Sequence, residues 1–201
     1  MKQYEVICAG LATVDLIAGI LEPEALKRDT TYLETLSLQI GGDAVNQAVV
    51  LSRLGCRTGL MALCGSDYWG TYLTDSLKNE GVDCSMVTAD SGYSTTVSIV
   101  MLDSERERHF AVEKGSMDYF GLSHINLDAV KESAVVSIGS NLSLKSLDGE
   151  PTCELFSYAR KHGVITAADY SIGKGDEKVD RSMVSAMFKQ TDYILPSYAE
   201  A

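Results

Sequence analysis

Short apolar runs alternate with longer amphipathic segments along this chain, and that rhythm restricts the possible folds more than any other feature. Residues 4–9 form an apolar run closed by Gly10, and residues 58–64 another closed by Gly65. Residues 134–138 and 164–168 repeat the pattern, residues 193–195 supply a last short run, and residues 36–40 read as an extended piece. Runs of this length next to glycine predict buried strands. Between them, residues 43–54, 69–80, 149–162 and 178–189 predict helices, the second stopped by Gly81. The first of these helices is apolar on most of its faces, which predicts cover on both sides. Strands and helices in this alternation imply right-handed βαβ units and a largely parallel sheet.

One stretch breaks the rhythm. Residues 94–102 alternate strictly, with Thr95, Val97, Ile99 and Met101 on one face and Thr96, Ser98, Val100 and Leu102 on the other. A charged turn, Asp103 to Glu107, leads into a second extended stretch over 108–112. This predicts a hairpin with one semi-polar face, a flap outside the main sheet. Such a flap leaves an exposed edge, which proteins usually cover, so pairing of two flaps into a homodimer is expected.

Composition excludes several function classes. A net charge of −11 argues against nucleic acid, whose phosphates require clustered Lys and Arg. No apolar run reaches membrane-spanning length. The five cysteines form an odd set without a C-x-x-C pair, as expected for reduced thiols in a cytoplasmic protein. The three histidines are scattered and make no metal-ligand pattern. At 201 residues one domain is the default count.

The candidate site lies where Gly41-Gly42-Asp43-Ala44-Val45-Asn46 opens the first helix. Paired glycines let backbone approach a bound molecule, and the first turn presents unpaired N–H groups beside the Asn46 amide. Hydrogen-bonding groups of this kind suit a small polyhydroxylated ligand. Asp15 is expected at the end of the first strand, pointing into the cleft at the carboxyl edge of the sheet. A carboxylate there can accept two sugar hydroxyls at once. Asp43 favours the helix dipole whether or not it touches a ligand. Arg108 is either a contact for an anionic group on a sugar or a solvated charge of the hairpin. Either Thr95 or Thr96 lines the ligand from above, as register decides. Asp169, after a strand, is either a border of a nucleotide site or a cap.

These pieces together resemble the ribokinase-like (PfkB-type) carbohydrate kinase family. Cys8-Ala9-Gly10-Leu11-Ala12-Thr13-Val14-Asp15 is similar to its first strand and sugar-binding Asp, and residues 41–55 to its N-terminal signature. Gly65-Ser66-Asp67-Tyr68-Trp69-Gly70 with Gly81-Val82-Asp83 resembles the next block, and residues 94–110 the hairpin that closes over the sugar. Asp192 to Glu200 resembles the stretch that carries an Asn-x-x-Glu motif near nucleotide and magnesium. The resemblance implies a three-layer α/β/α fold with a small β-hairpin lid, built from segments of about 14–40 and 93–113. It further implies a sugar held by Asp15, Gly41, Gly42, Asp43 and Asn46. ATP and Mg²⁺ would be cofactors of the complete enzyme, bordered by Ser197 and Glu200.

The chain also departs from the family pattern. Ser197 replaces the usual Asn, and Asp43 stands where ribokinases proper tend to have Lys, which argues against ribose. The downstream Gly-Ala-Gly-Asp-like element, with its catalytic Asp and anion hole, has no counterpart, and no G-x-x-x-x-G-K-[ST] loop substitutes for it. The chain is therefore expected to be the sugar-binding N-terminal portion of such a kinase, its catalytic Asp lying beyond Ala201, and inactive alone. The other reading is a non-catalytic sugar-binding or dimerisation module. A dinucleotide-binding enzyme is disfavoured, because no G-x-G-x-x-G follows residues 4–9.

Overall fold

In the computed structural model, which describes residues 2–21, 23–171 and 180–198, ten strands form two sheets. The strands are β1 (Tyr4–Gly10), β2 (Thr13–Ile20), β3 (Ser37–Gly41), β4 (Thr58–Gly65), β5 (Val87–Asp90), β6 (Val97–Leu102), β7 (Arg108–Glu113), β8 (Ser133–Asn141), β9 (Ile165–Tyr170) and β10 (Tyr193–Ile194). Five α-helices accompany them: α1 (Asp43–Arg53), α2 (Tyr68–Asn79), α3 (Leu127–Lys131), α4 (Glu150–Lys161) and α5 (Arg181–Phe188). The large sheet runs β10-β9-β8-β1-β4-β5, every pair parallel. The second sheet runs β3-β2-β6-β7 and is mostly antiparallel.

Burial on both faces makes the large sheet the middle layer of three. Every residue of β4 is buried. Its alternate side chains Leu60, Ala62 and Cys64 join Ala44, Val45 and Ala48 of α1 and Leu73 and Leu77 of α2 in one core cluster. Met61 and Leu63 point the other way and join Leu155 and Phe156 of α4 and Met187 of α5. The period-two side-chain alternation of a strand thus feeds two separate cores from one segment. This three-layer α/β/α arrangement is the fold class that the sequence implied. Helix α1, however, is covered on one side only: Val50 is exposed, as is Leu54 just beyond the helix.

The turn at Gly10-Leu11-Ala12 ends β1 and redirects the chain out of the large sheet. Residues from Thr13 onward therefore belong to the second sheet, and Asp15 is the third residue of β2 instead of the last of β1. The run from Thr13 to Ile20 reads as an ordinary apolar continuation. Only its partners, β3 and the parallel strand β6, assign it to another sheet. Strand β5 and the short helix α3 also went unanticipated. The predicted helix over 178–189 is observed as α5 from Arg181, its first residues falling outside those described.

The second sheet is tied to the first by Asp67. Its carboxylate caps α2, accepting from the Gly70 N–H at 2.8 Å, and accepts from the Thr95 N–H at 2.8 Å and the Thr95 Oγ1 at 2.7 Å. Thr95 Oγ1 in turn accepts from the Gly65 N–H at 2.9 Å, at the end of β4. Burial alone would raise the pKa of Asp67, but these donors outweigh it and hold the carboxyl below its ordinary value.

Candidate functional site

A cavity of about 450 Å³ opens between the carboxyl ends of β1 and β8, the start of α1, and one face of the second sheet. That volume suits a small ligand. Asp15, Gly42, Asp43, Asn46, Thr96 and Arg108 all line it, although they come from four separate stretches of chain.

The start of α1 reaches the cavity because glycine precedes it. Gly42 is the N-cap with φ 92°, and a Cβ there would stand 2.4 Å from the Leu11 carbonyl oxygen. No L side chain fits that position. Gly41 lies beneath the site, outside the cavity wall, and carries the Asp15 carboxylate directly above it. A Cβ on Gly41 would be 2.0 Å from Asp15 Oδ2.

Among the described residues, no hydrogen bond or ion pair satisfies the Asp15 carboxylate. It is half-buried, and that burial pushes its pKa up from the ordinary carboxylate value. A desolvated acid without a partner in a cleft is a mark of a functional position. Asn46 projects from the first turn of α1, and its backbone N–H donates to the Gly42 carbonyl at 2.9 Å. Its side-chain amide has no partner among the described residues. Asp43 differs: its carboxylate accepts a hydrogen bond from Ser140 Oγ, which arrives from the end of β8 with its backbone at φ 66°.

The opposite wall follows from strand alternation. Thr13 and Asp15 on β2, Ser98 on β6, and Val112, Phe110 and Arg108 on β7 share one face of the second sheet, together with Thr96 just before β6. The two threonines therefore separate. Thr96 lines the cavity while its Oγ1 donates to the Lys114 carbonyl at 2.6 Å, and Thr95 turns away to Asp67. The Arg108 guanidinium lies over the Phe110 ring, 5.7 Å from its centroid.

The sequence profile of the pfkB family carbohydrate kinases matches residues 3–201. The chain belongs to this family. A 5-dehydro-2-deoxygluconokinase of Clostridium tetani (strain Massachusetts / E88) is 27% identical over 174 residues, covering 84% of this chain and 50% of the relative. A nucleoside kinase of Methanothermobacter thermautotrophicus is 30% identical over 171 residues, covering 84% and 52%. This pfkB chain thus spans about half the length of the curated relatives it matches. Among solved structures, a fructokinase from Halothermothrix orenii superposes with TM-score 0.77 at 24% identity, covering 98% of this chain and 69% of that one. A ribokinase from Arabidopsis thaliana complexed with ribose and ATP gives TM-score 0.76 at 20% identity, covering 98% and 61%. At such identities these structures support the ribokinase-like fold alone.

The residues expected to border a nucleotide are not gathered on this cavity among the described residues. Ser197 follows β10 and is not part of the cavity wall, and Glu200 lies outside the described residues. Asp169 is inside β9, half-buried, instead of following it. Among the described residues, no group of three or more His, Cys, Asp or Glu side chains could hold a metal ion. Sequence reasoning missed Ser140, near the end of β8, and Ser143 and Ser171, in the loops after β8 and β9, which complete the cavity floor. Isolated serines in loops carry no periodic signal. Ser98 and Phe110 were accessible through the two-residue alternation of the hairpin.

Proposed function

We propose that this protein binds a sugar or sugar-like polyol as the phosphoryl acceptor of an ATP-dependent carbohydrate kinase. The observation that carries the proposal is the meeting of Asp15 and Asn46 on one cavity, each with unused hydrogen-bonding capacity. Asp15 accepts from sugar hydroxyls and, as a half-buried carboxylate, gains more from each such bond than a solvated one. Asn46 offers both a donor pair and an acceptor. Gly42 allows the close approach, Gly41 seats the Asp15 carboxylate, and Asp43, steadied by Ser140, takes a further hydroxyl. Where the sugar carries an acid group, as the name of the Clostridium tetani relative implies for that enzyme, Arg108 and Lys114 are the cations among the residues that line the cavity.

The second sheet, from residues of about 14–40 and 93–113, acts as the lid in this proposal and excludes water from the bound hydroxyl. Strand β7 is exposed along its whole length and forms an open edge of that sheet, which supports a homodimer paired through the lid. All five cysteines are free thiols, which supports a cytoplasmic location.

The residues described do not fit a nucleotide with its magnesium: they supply no carboxylate cluster for the metal, and the sequence has no phosphate-cradling loop. No phosphoryl-transfer step is assigned to them. Their work is to bind, orient and dehydrate the acceptor. The second reading is a sugar-binding or dimerisation module without catalysis, supported by the exposed edge strand β7.

Titration calorimetry of the chain with D-fructose, D-ribose and D-gluconate tests the proposal. Saturable binding of at least one, lost in Asn46→Ala, is expected. Binding of none of the three removes the sugar site. ADP release from ATP in the same samples separates the readings, and none is expected from the 201-residue chain.

A further inference from the structure

The cleft face of the second sheet contains a hydroxyl with no structural employment. Ser98, on β6, is 4% exposed, and its Oγ is shut off from water and has no hydrogen-bond partner among the described residues. Yet Ser98 lines the cavity. Burying a hydroxyl without a partner opposes folding. Its neighbours on the same face show what packing alone favours there, because Val100 and Val112 flank it along and across the strands. Valine or alanine would leave nothing unsatisfied at position 98.

The register gives this hydroxyl a context. Ser98 pairs directly with Asp15 across β2 and β6. Neighbouring strands lie about 4.8 Å apart, so the two side chains stand next to each other on the cleft face. They do not bond to each other, because the Asp15 carboxylate leans the opposite way, onto Gly41. A single staggered step of χ1 turns a serine oxygen from one side of its strand position to another. An oxygen-rich ligand seated on Asp15 would give that step a partner which the free protein lacks.

We infer that Ser98 is a specificity-determining residue, which hydrogen-bonds the substrate oxygen adjacent to the hydroxyl held by Asp15, so that the pair reads a vicinal diol. The inference rests on the sugar-binding function proposed above and adds a residue and a substrate feature to it. Asp15 can only accept, whereas a serine hydroxyl donates and accepts at once. Together the pair fits two neighbouring hydroxyls, one donating to the carboxylate and the other exchanging a bond with Ser98. A sugar lacking one of the two hydroxyls leaves a desolvated group behind and is rejected.

The decisive feature of the test is that binding and stability move in opposite directions. Calorimetry with D-fructose, D-ribose and D-gluconate first selects the tightest binder of the wild-type chain, and its monodeoxy derivatives are then compared. Ser98→Ala is expected to weaken the parent sugar by about three- to tenfold, the range for one neutral hydrogen bond, and Ser98→Thr to restore most of it. One monodeoxy derivative should bind the wild type more weakly than the parent does and lose nothing further in Ser98→Ala. In the absence of sugar, Ser98→Ala should melt no lower than wild type, and up to about 2–4 °C higher, since an unsatisfied hydroxyl has been removed. A hydroxyl with a hidden structural partner would instead lower the melting temperature. Unchanged sugar affinity in Ser98→Ala, or an equal further loss for every monodeoxy derivative, overturns the assignment and leaves the sugar site standing. Binding of no sugar by the wild-type chain removes both.

Discussion

Gly41→Ala is the substitution for which the structure gives the sharpest expectation. An alanine Cβ at this position would stand 2.0 Å from Asp15 Oδ2 and 2.8 Å from Asp15 Cγ. Real Cβ atoms essentially never approach a heavy atom closer than 3.0 Å, and ordinary contact begins at 3.4 Å. The carboxylate must therefore retreat by 3.0 − 2.0 = 1.0 Å at least, and by 3.4 − 2.0 = 1.4 Å to reach comfortable contact. Gly41 does not show a positive φ, and the obstacle is the far end of a side chain, so the backbone has little reason to move. Folding should survive, with a stability change within about 1 kcal/mol.

Ligand geometry should not survive so well. A displacement of about 1 Å in a positioning group costs roughly 100-fold in a well-oriented site, and the loss of one charged hydrogen bond costs about 1.5–3 kcal/mol, or roughly 10- to 150-fold. Gly41→Ala should thus lower sugar affinity by about 10- to 100-fold with nearly unchanged urea unfolding. Asp15→Asn supplies the control, because a weakened acceptor at position 15 leaves less for Gly41→Ala to displace. Calorimetry on the two single variants and the double variant measures that coupling. Full additivity of the two losses, or wild-type affinity in Gly41→Ala, would refute the claim that Gly41 exists to seat Asp15.

Asp67→Asn keeps an oxygen able to cap α2 but sets an NH2 donor against the Thr95 N–H, and should destabilise the chain by about 1–3 kcal/mol. Because Asp67 has a lowered folded pKa, its contribution is present above the ordinary carboxylate value near pH 4 and lost as pH falls through the folded value. The gap between wild type and Asp67→Asn in urea unfolding should therefore close on acidification and persist at pH 7. Asp148 shows the opposite sign: burial pushes its pKa up to about 6, despite bonds from the Leu142 and Leu144 N–H groups. The folded state then holds a proton that the unfolded chain releases, so thermal stability should rise as pH is lowered from 7 toward 4, and Asp148→Asn should flatten that rise. Leu60→Ala, in the fully buried β4 against α1 and α2, should cost about 2–5 kcal/mol in urea unfolding and leave sugar affinity per folded molecule unchanged.

Legibility in the sequence followed the range of the interactions involved. Buried parallel strands advertise themselves as apolar runs, so β1, β4, β8 and β9 were visible, as were α1, α2 and α4 from their period. The hairpin was visible down to its faces, because alternation over 94–102 assigns Thr96 and Ser98 to one side without any structure. What stayed hidden depends on partners distant in sequence. β2 belongs to the second sheet only because β3 and β6 flank it, and Asp15 moved with it from the end of one strand to the interior of another. Asp15 lines the cavity on a different support from the one expected: a neighbouring strand and a glycine position its carboxylate, and the end of the first strand does not. Ser143 and Ser171 on the cavity floor left no trace, since a loop serine looks the same whether it faces a ligand or solvent.

The polar groups of the protein divide by location. Away from the cleft, the half-buried acids are supplied with donors, Asp67 by Thr95 and Gly70 and Asp148 by two backbone N–H groups, as is the exposed Asp83 by the Tyr4 hydroxyl and the Ser85 N–H. Inside the cleft the supply stops. Asp15, Asn46 and Ser98 converge there with no partners among the described residues, and the half-buried Asp15 and the buried Ser98 would be cheaper to keep as apolar or bonded side chains. Packing does not account for two desolvated groups, Asp15 and Ser98, turned onto one cavity. A ligand rich in hydroxyls can, since it brings donors to the carboxylate and both donors and acceptors to the amide and the serine. The folding free energy forgone at Asp15 and Ser98 is then recovered only in the complex, so ligand should raise the melting temperature of the wild type more than that of any variant in which Asp15, Asn46 or Ser98 has been made apolar.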